Sequence, residues 1–168
     1  VCHGGAGVIT RDHLKPEQEA AYRQAMATVA EAGAAVLRKG GSAMDAVEAA
    51  IHLLEDDPLF NAGRGAVFTA EGRVELDASI MDGRNLEAGA VAGLSTTRHP
   101  ISAARAVIEG SAHVMLGGEG ADAFARSQGL EQVDPSFFFS ERRWRSLERA
   151  LAKLDLPIGL PFFLWVGV

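Results

Sequence analysis

The residues best able to do chemistry in this chain sit in two glycine-rich stretches. His3-Gly4-Gly5-Ala6-Gly7 places successive glycines where backbone N–H groups could approach a ligand or a developing oxyanion closely. On its own that stretch reads equally well as a turn at a strand end. An esterase built on such a loop would also need a GxSxG nucleophile elbow, and no such pentapeptide occurs. The second stretch is Asn61-Ala62-Gly63-Arg64-Gly65, in which the uncharged amide of Asn61 can both donate and accept beside a reacting group, or simply turn its own loop. There is no Walker phosphate loop, HExxH helix, paired CxxC or calcium loop. The five histidines lie far apart; His13, His52, His99 and His113 show no metal-ligand spacing and are expected to be surface or structural residues, none of them a site candidate.

These loops need elements to hold them. Apolar positions at Tyr22, Met26, Val29, Ala30, Gly33, Val36 and Leu37 mark one face of a helix over 17–39, ended by Gly40-Gly41. Ser42 followed three positions later by Asp45 reads as a capping box, and Met44, Val47, Ile51 and Leu54 stripe the helix it opens, so the two helices form a hairpin. Pro58 and the loop formers after it end that pattern. Ala66 to Thr69 and Arg73 to Ile80 flank Ala70-Glu71-Gly72 as a β-hairpin, its second arm alternating apolar Val74, Leu76, Ala78 and Ile80 with polar neighbours. Asp82-Gly83 marks a turn before Ala88 to Leu94, a small apolar run suited to a strand buried on both faces. Pro100 opens a helix to Gly110, Val114 to Leu116 reads as a strand, and helices follow at 121–128 and 140–154 with Trp144, Leu147 and Leu151 on one face of the last.

A chain of 168 residues is one domain's length. Its 48% hydrophobic and 23% charged residues exclude a disordered or fibrous chain. Twenty-two acidic against sixteen basic residues leave a net charge of -6, which opposes general attraction to nucleic acid or anionic lipid, so neither is expected as a partner. The single cysteine, Cys2, cannot form an internal disulfide. No apolar run approaches the roughly 18 residues of a membrane span, and the chain is expected to be cytoplasmic. The apolar end Pro161-Phe162-Phe163-Leu164-Trp165-Val166-Gly167-Val168 and the missing initiator methionine suggest a piece of a longer protein.

Context sharpens the two loops. The segments Leu53 to Thr69, Glu75 to Gly83 and Ala88 to Gly93, taken with His3-Gly4-Gly5-Ala6-Gly7, closely resemble the plant-type asparaginase and isoaspartyl peptidase family of N-terminal nucleophile hydrolases. The resemblance runs in order and at matching spacing from residue 1 to about residue 154, and it is to the α-subunit half.

What the resemblance implies is an α/β (α+β) fold, an αββα sandwich to which residues 1–154 contribute the α-subunit, with 155–168 an unassigned chain end. It also implies a precursor that cuts itself before a threonine, whose freed α-amino group acts as base for its own hydroxyl. Thr10, Thr28, Thr69, Thr96 and Thr97 are the only threonines, and none follows a glycine, so the nucleophile is expected on a β-subunit from the same precursor. By the same resemblance Asn61 is the active-site asparagine, and Gly4 and Gly5 form a loop near the nucleophile that His3 braces. The backbone carbonyls of Leu54, Glu55, Asp57, Phe60, Ala62 and Arg64 are expected to wrap a structural sodium ion, as hard oxygen donors suit. No cofactor is expected for catalysis. The implied activity is hydrolysis of the asparagine side-chain amide or of β-aspartyl dipeptides, in a dimer of αβ units. An inactive or binding-only α-half, or a relative of glycosylasparaginase or threonine aspartase, stands as the alternative.

Overall fold

The structure is a computed structural model that describes residues 1–5 and 14–158. Ala6, Gly7, Thr10, His13 and the apolar end at 161–168 therefore lie outside the described residues.

Helix α1 (Pro16–Arg38) begins with proline, whose missing N–H costs nothing in a first turn, and with Glu17 and Glu19 at the positive end of the helix dipole. It stops where Gly40 takes φ +81° and Gly41 N–H returns to the Val36 carbonyl at 3.0 Å. Helix α2 (Ala43–Asp56) is opened by the expected box: Ser42 Oγ accepts from Asp45 N–H at 3.1 Å, and Asp45 Oδ2 accepts from Ser42 N–H at 3.0 Å. The two helices pack as a hairpin, close enough at Gly33 that a Cβ there would stand 3.2 Å from the Ala46 carbonyl. Val29, Ala50, Leu54 and Phe60 form a small core between them.

The sheet has the order β1-β2-β3, with β1 (Leu76–Met81) antiparallel to β2 (Ala88–Leu94) and β2 parallel to β3 (Met115–Gly117). Helices α3 (Pro100–Gly110) and α4 (Gly118–Ser127) pack against it, and α5 (Glu141–Lys153) follows a short 3-10 turn at Pro135–Phe138. Leu76, Ile80, Val91, Leu94, Ala103, Ala104 and Val107 share the main core. Approach is tightest at Gly89, where a Cβ would lie 2.1 Å from the Ala104 carbonyl, so only glycine lets α3 seat on β2. The buried carboxylate of Asp122 ties α4 to the end of β2 by accepting from the backbone N–H groups of Ser95, Thr96 and Thr97 and from the hydroxyls of Ser95 and Thr97.

Two sequence expectations are corrected. The arm Ala66 to Thr69 is not a strand: only the isolated bridge Phe68↔Val74 joins it to the following segment, and β1 takes β2 as its partner, with the 82–87 turn between them. The Val67 N–H is taken by Asn61 Oδ1, so the pairing does not extend beyond that bridge. Nor is β2 buried on both faces in this chain. Gly89, Val91 and Leu94 are buried, whereas Ala88, Ala90 and Ala92 are half-covered, because the helices lie on one side of the sheet.

Candidate functional site

The site is built on the loop that leaves α2. The proline after Asp57 ends the helix, Phe60 turns inward to 4% exposure, and its ring makes an edge contact with Tyr22 of α1. Three carbonyls on the outside of the loop are stapled by other elements: Tyr22 Oη donates to Leu59 at 3.2 Å, Arg142 Nη2 to Pro58 at 2.5 Å and to Leu59 at 3.2 Å, and Arg143 Nε to Gly65 at 2.6 Å. Among the described residues, no side chain donates to the carbonyls of Leu54, Glu55, Asp57, Phe60, Ala62 or Arg64; those of Asp57 and Ala62 accept from the backbone N–H groups of Phe60 and Gly65. On the inner side, a Cβ on Gly63 would stand 2.2 Å from the Glu55 oxygen, and one on Gly65 1.9 Å from the Phe60 oxygen. Gly63 has φ +45°. The two glycines are thus what let the Glu55 and Phe60 carbonyls lie this close to residues 63 and 65. Carbonyl oxygens are hard donors of the kind a monovalent cation takes.

Asn61 is exposed beside a cleft of about 230 Å³ whose wall also includes Glu55, Ala66, Leu76, Asp77 and Pro100. Its Oδ1 accepts from Val67 N–H at 3.0 Å. That bond fixes the side chain and turns the loop, while no described residue accepts from its Nδ2, which leaves two donors for a ligand. Asp77 enters the cleft from the β1–β2 register shift, where its Oδ1 accepts from Gly93 N–H at 2.9 Å and Gly93 has φ +68°. A Cβ on Gly4 would lie 2.8 Å from a Phe60 ring carbon, so Gly4 is pressed against the residue before Asn61, whereas a Cβ on Gly5 would meet nothing within 4 Å. His3 Nδ1 accepts from Gly5 N–H at 3.2 Å, and Gly5 has φ +116°.

Behind the cleft, the side chain of Glu55 is 4% exposed. Its Oε1 accepts from Ile101 N–H at 3.0 Å, at the start of α3, and its Oε2 meets His99 Nδ1 at 3.0 Å. Burial pushes this carboxyl above the usual range, and the bonds from His99 and Ile101 oppose that push. The His52 and His99 rings stack with centroids 4.1 Å apart, and burial followed by the neighbouring His99 holds His52 below the ordinary imidazole value. His52 and His99 are thus bonded, packed residues, as a structural role requires, but they stand together although they are far apart in sequence. His52 and Glu55 share a turn of α2, and His99 reaches them from 44 positions beyond Glu55. The spacing of His52 and Glu55 on one helix was the only available signal; His99 had none.

Of the expected site residues, Gly4 contacts Phe60, the chain neighbour of Asn61; Leu54 and Glu55 lie in the last turn of α2, and Asp57, Ala62 and Arg64 in the segment that follows it. Glu75 and Asp77, which also line the cleft, were read only as the polar positions of an alternating strand.

A mixed α/β domain with an open cleft beside a carbonyl-lined loop is the class this geometry defines. The chain belongs to the asparaginase family, whose pattern matches residues 1–155. It is 52% identical over 93% of its length to an isoaspartyl peptidase of Salmonella typhimurium, covering 50% of that protein. It is 48% identical over 91% of its length to a plant-type L-asparaginase of Pyrococcus abyssi, covering 48% of it. To an isoaspartyl peptidase/L-asparaginase of Homo sapiens it is 44% identical over 87% of its length, covering 46% of that chain. The chain thus spans about half the length of these relatives. Among the described residues no helix is long and apolar enough to cross a membrane.

Proposed function

We propose that this chain is the α half of an amidohydrolase that cleaves the side-chain amide of asparagine and β-aspartyl dipeptides, its nucleophilic threonine standing on a β-subunit from the same precursor. The observation that carries this reading is identity of 44–52% to proteins with those names over 87–93% of the chain. The complete fold in this reading is an αββα sandwich. The half-covered face of β2 and the exposed Met81, Met115 and Val67 support it, since such a face is the place for a second sheet. In the assembled enzyme the threonine hydroxyl adds to the amide carbonyl carbon, its proton passes through the threonine's own amino group to the leaving amine, and water then frees the acyl group.

This chain's part is to position. Asn61, held by Val67, offers its Nδ2 donors to the reacting centre. Gly4 keeps the backbone beside Phe60 thin, and Gly5, at φ +116°, turns the chain next to it, which leaves room for the partner's first residue to enter. A sodium ion held by the carbonyls of Leu54, Glu55, Asp57, Phe60, Ala62 and Arg64 would stiffen the loop that carries Asn61; its contribution is structural. The enzyme is expected to work as a dimer of αβ units in the cytoplasm, with no cofactor in catalysis.

The test is to purify the chain alone and the product of its full reading frame, and to follow ammonia release from asparagine and amino-acid release from a β-aspartyl dipeptide. The assembled protein should turn over at least one of the two substrates, and the isolated chain neither. Turnover by the isolated chain, or none by an assembled protein whose second chain begins with threonine, overturns the reading.

A further inference from the structure

The seam between α2 and the start of α3 contains a group of side chains that the amidohydrolase reading does not use. We propose that His52, Glu55 and His99 form a site for a divalent ion of the zinc type, separate from the loop carbonyls and independent of the function proposed above.

One ligand atom from each of the three lies within 4.8 Å of the others. Two imidazoles and a carboxylate are the donor set that favours zinc over magnesium or calcium, and three protein ligands leave a fourth position for water. Their existing bonds prepare each group. Glu55 Oε1 is taken by Ile101 N–H, so Oε2 is the oxygen left for a metal. His99 Nδ1 is 3.0 Å from that Oε2. An ion bonded to both at about 2.0–2.1 Å, with tetrahedral angles, needs them roughly 3.3 Å apart, so it replaces the shared proton with a small widening. The proton leaves to solvent. His99 Nε2 then keeps its own hydrogen facing Asp56 Oδ2, now 3.8 Å away, the outer carboxylate that metal-bound histidines usually have.

His52 is arranged in a complementary way. Ser102 Oγ donates to Glu48 Oε1 at 2.5 Å, so its lone pair accepts from His52 Nε2–H at 2.7 Å. This fixes the tautomer in which Nδ1 carries the lone pair. Capture of an ion requires the two rings to turn out of their stack, because ring lone pairs lie in the ring plane.

The surrounding charge favours a cation. Glu48, Glu55 and Asp56 face the seam from α2, and the two arginines nearby are already matched: Arg98 by Asp56 and Glu131, and Arg105 by Asp45, Glu48 and Glu109. The side chain of His52 is 36% exposed, which gives an ion a way in.

The experiment uses the full protein carrying Cys2→Ser, which removes an exposed thiol that would bind zinc by itself. Zinc is titrated calorimetrically, with magnesium as the comparison and cobalt(II) as the optical probe. The expected result is one equivalent of zinc, no magnesium heat, and the visible band of four-coordinate cobalt. His52→Ala and His99→Asn, the second keeping a good helix-capping residue, should each weaken zinc at least about tenfold. Far-UV circular dichroism checks each fold. Should His99→Asn unfold, the partly exposed His52→Ala decides alone. No saturable zinc binding, or an unchanged zinc affinity in a folded His52→Ala protein, overturns the site.

Discussion

Gly65→Ala is the most direct test of how the loop is held. The new Cβ would stand 1.9 Å from the Phe60 oxygen and 2.8 Å from the Pro58 oxygen, where ordinary contact begins near 3.4 Å. The Phe60 peptide must retreat, yet the ring of Phe60 is 4% exposed and belongs to the core with Val29, Ala50 and Leu54. Overpacking of this kind costs about 1–3 kcal/mol. Movement of residue 65 also loosens the 2.6 Å bond from Arg143 Nε to its carbonyl, a charged donor whose loss adds about 1.5–3 kcal/mol before the two effects are allowed to overlap. A total near 3–4 kcal/mol follows, and with a urea dependence of about 1–3 kcal/mol per molar the unfolding midpoint falls by at least about 1 M. Gly120→Ala is the control. Gly120 lies exposed in α4 with nothing within 4 Å of its Cβ position, so alanine should stabilise by about 0.5–1 kcal/mol through helix propensity. Urea denaturation of the full protein measures both. If Gly65→Ala stays within about 0.5 kcal/mol of wild type, the glycine is not what admits the Phe60 and Pro58 carbonyls and the loop argument fails.

Asn61→Ala in the assembled enzyme should lower turnover by on the order of 10²-fold, the scale of one lost polar contact to a reacting centre, with the fold preserved; wild-type kinetics would reduce Asn61 to the acceptor for Val67. Asp122 governs acid stability. Burial pulls its carboxyl up, but the bonds from Ser95, Thr97 and Thr96 outweigh that and hold it below the ordinary value of 3.8. A group lowered on folding stabilises above its unfolded value and loses that contribution as pH falls through the folded one, so stability should drop below about pH 4, and Asp122→Asn should flatten that acid limb while costing stability at neutral pH. A pH–stability curve of unchanged shape in the variant would exclude this assignment. Ser42→Ala removes the acceptor for Asp45 N–H and should cost about 1 kcal/mol in thermal unfolding, against no measurable loss if the box is ornamental.

Much of this protein was determined by its sequence alone. Helix periodicity, the Ser42–Asp45 box, Pro100 at a helix start and the alternation from Val74 to Ile80 all survive folding, because each depends on neighbours within a few positions. Gly4 and Asn61 could be named from the pattern of residues around them, and the structure packs Gly4 on Phe60, the neighbour of Asn61. Tertiary structure decided what depends on distance along the chain. Whether Ala66 to Thr69 would pair as a strand was settled by the Asn61 side chain, which takes the Val67 N–H and leaves one isolated bridge. Which face of β2 is buried was settled by the side on which α3 and α4 lie. The close approach of the Glu55 and Phe60 carbonyls to Gly63 and Gly65 is likewise a tertiary fact. His99 met His52 and Glu55 only because α3 runs antiparallel beside α2, His99 meeting Glu55, Ser102 meeting His52 and Glu48, and Arg105 meeting Asp45. Local spacing records the period of a helix or strand, but a contact between remote segments is chosen by packing, and packing leaves no period in the sequence to read.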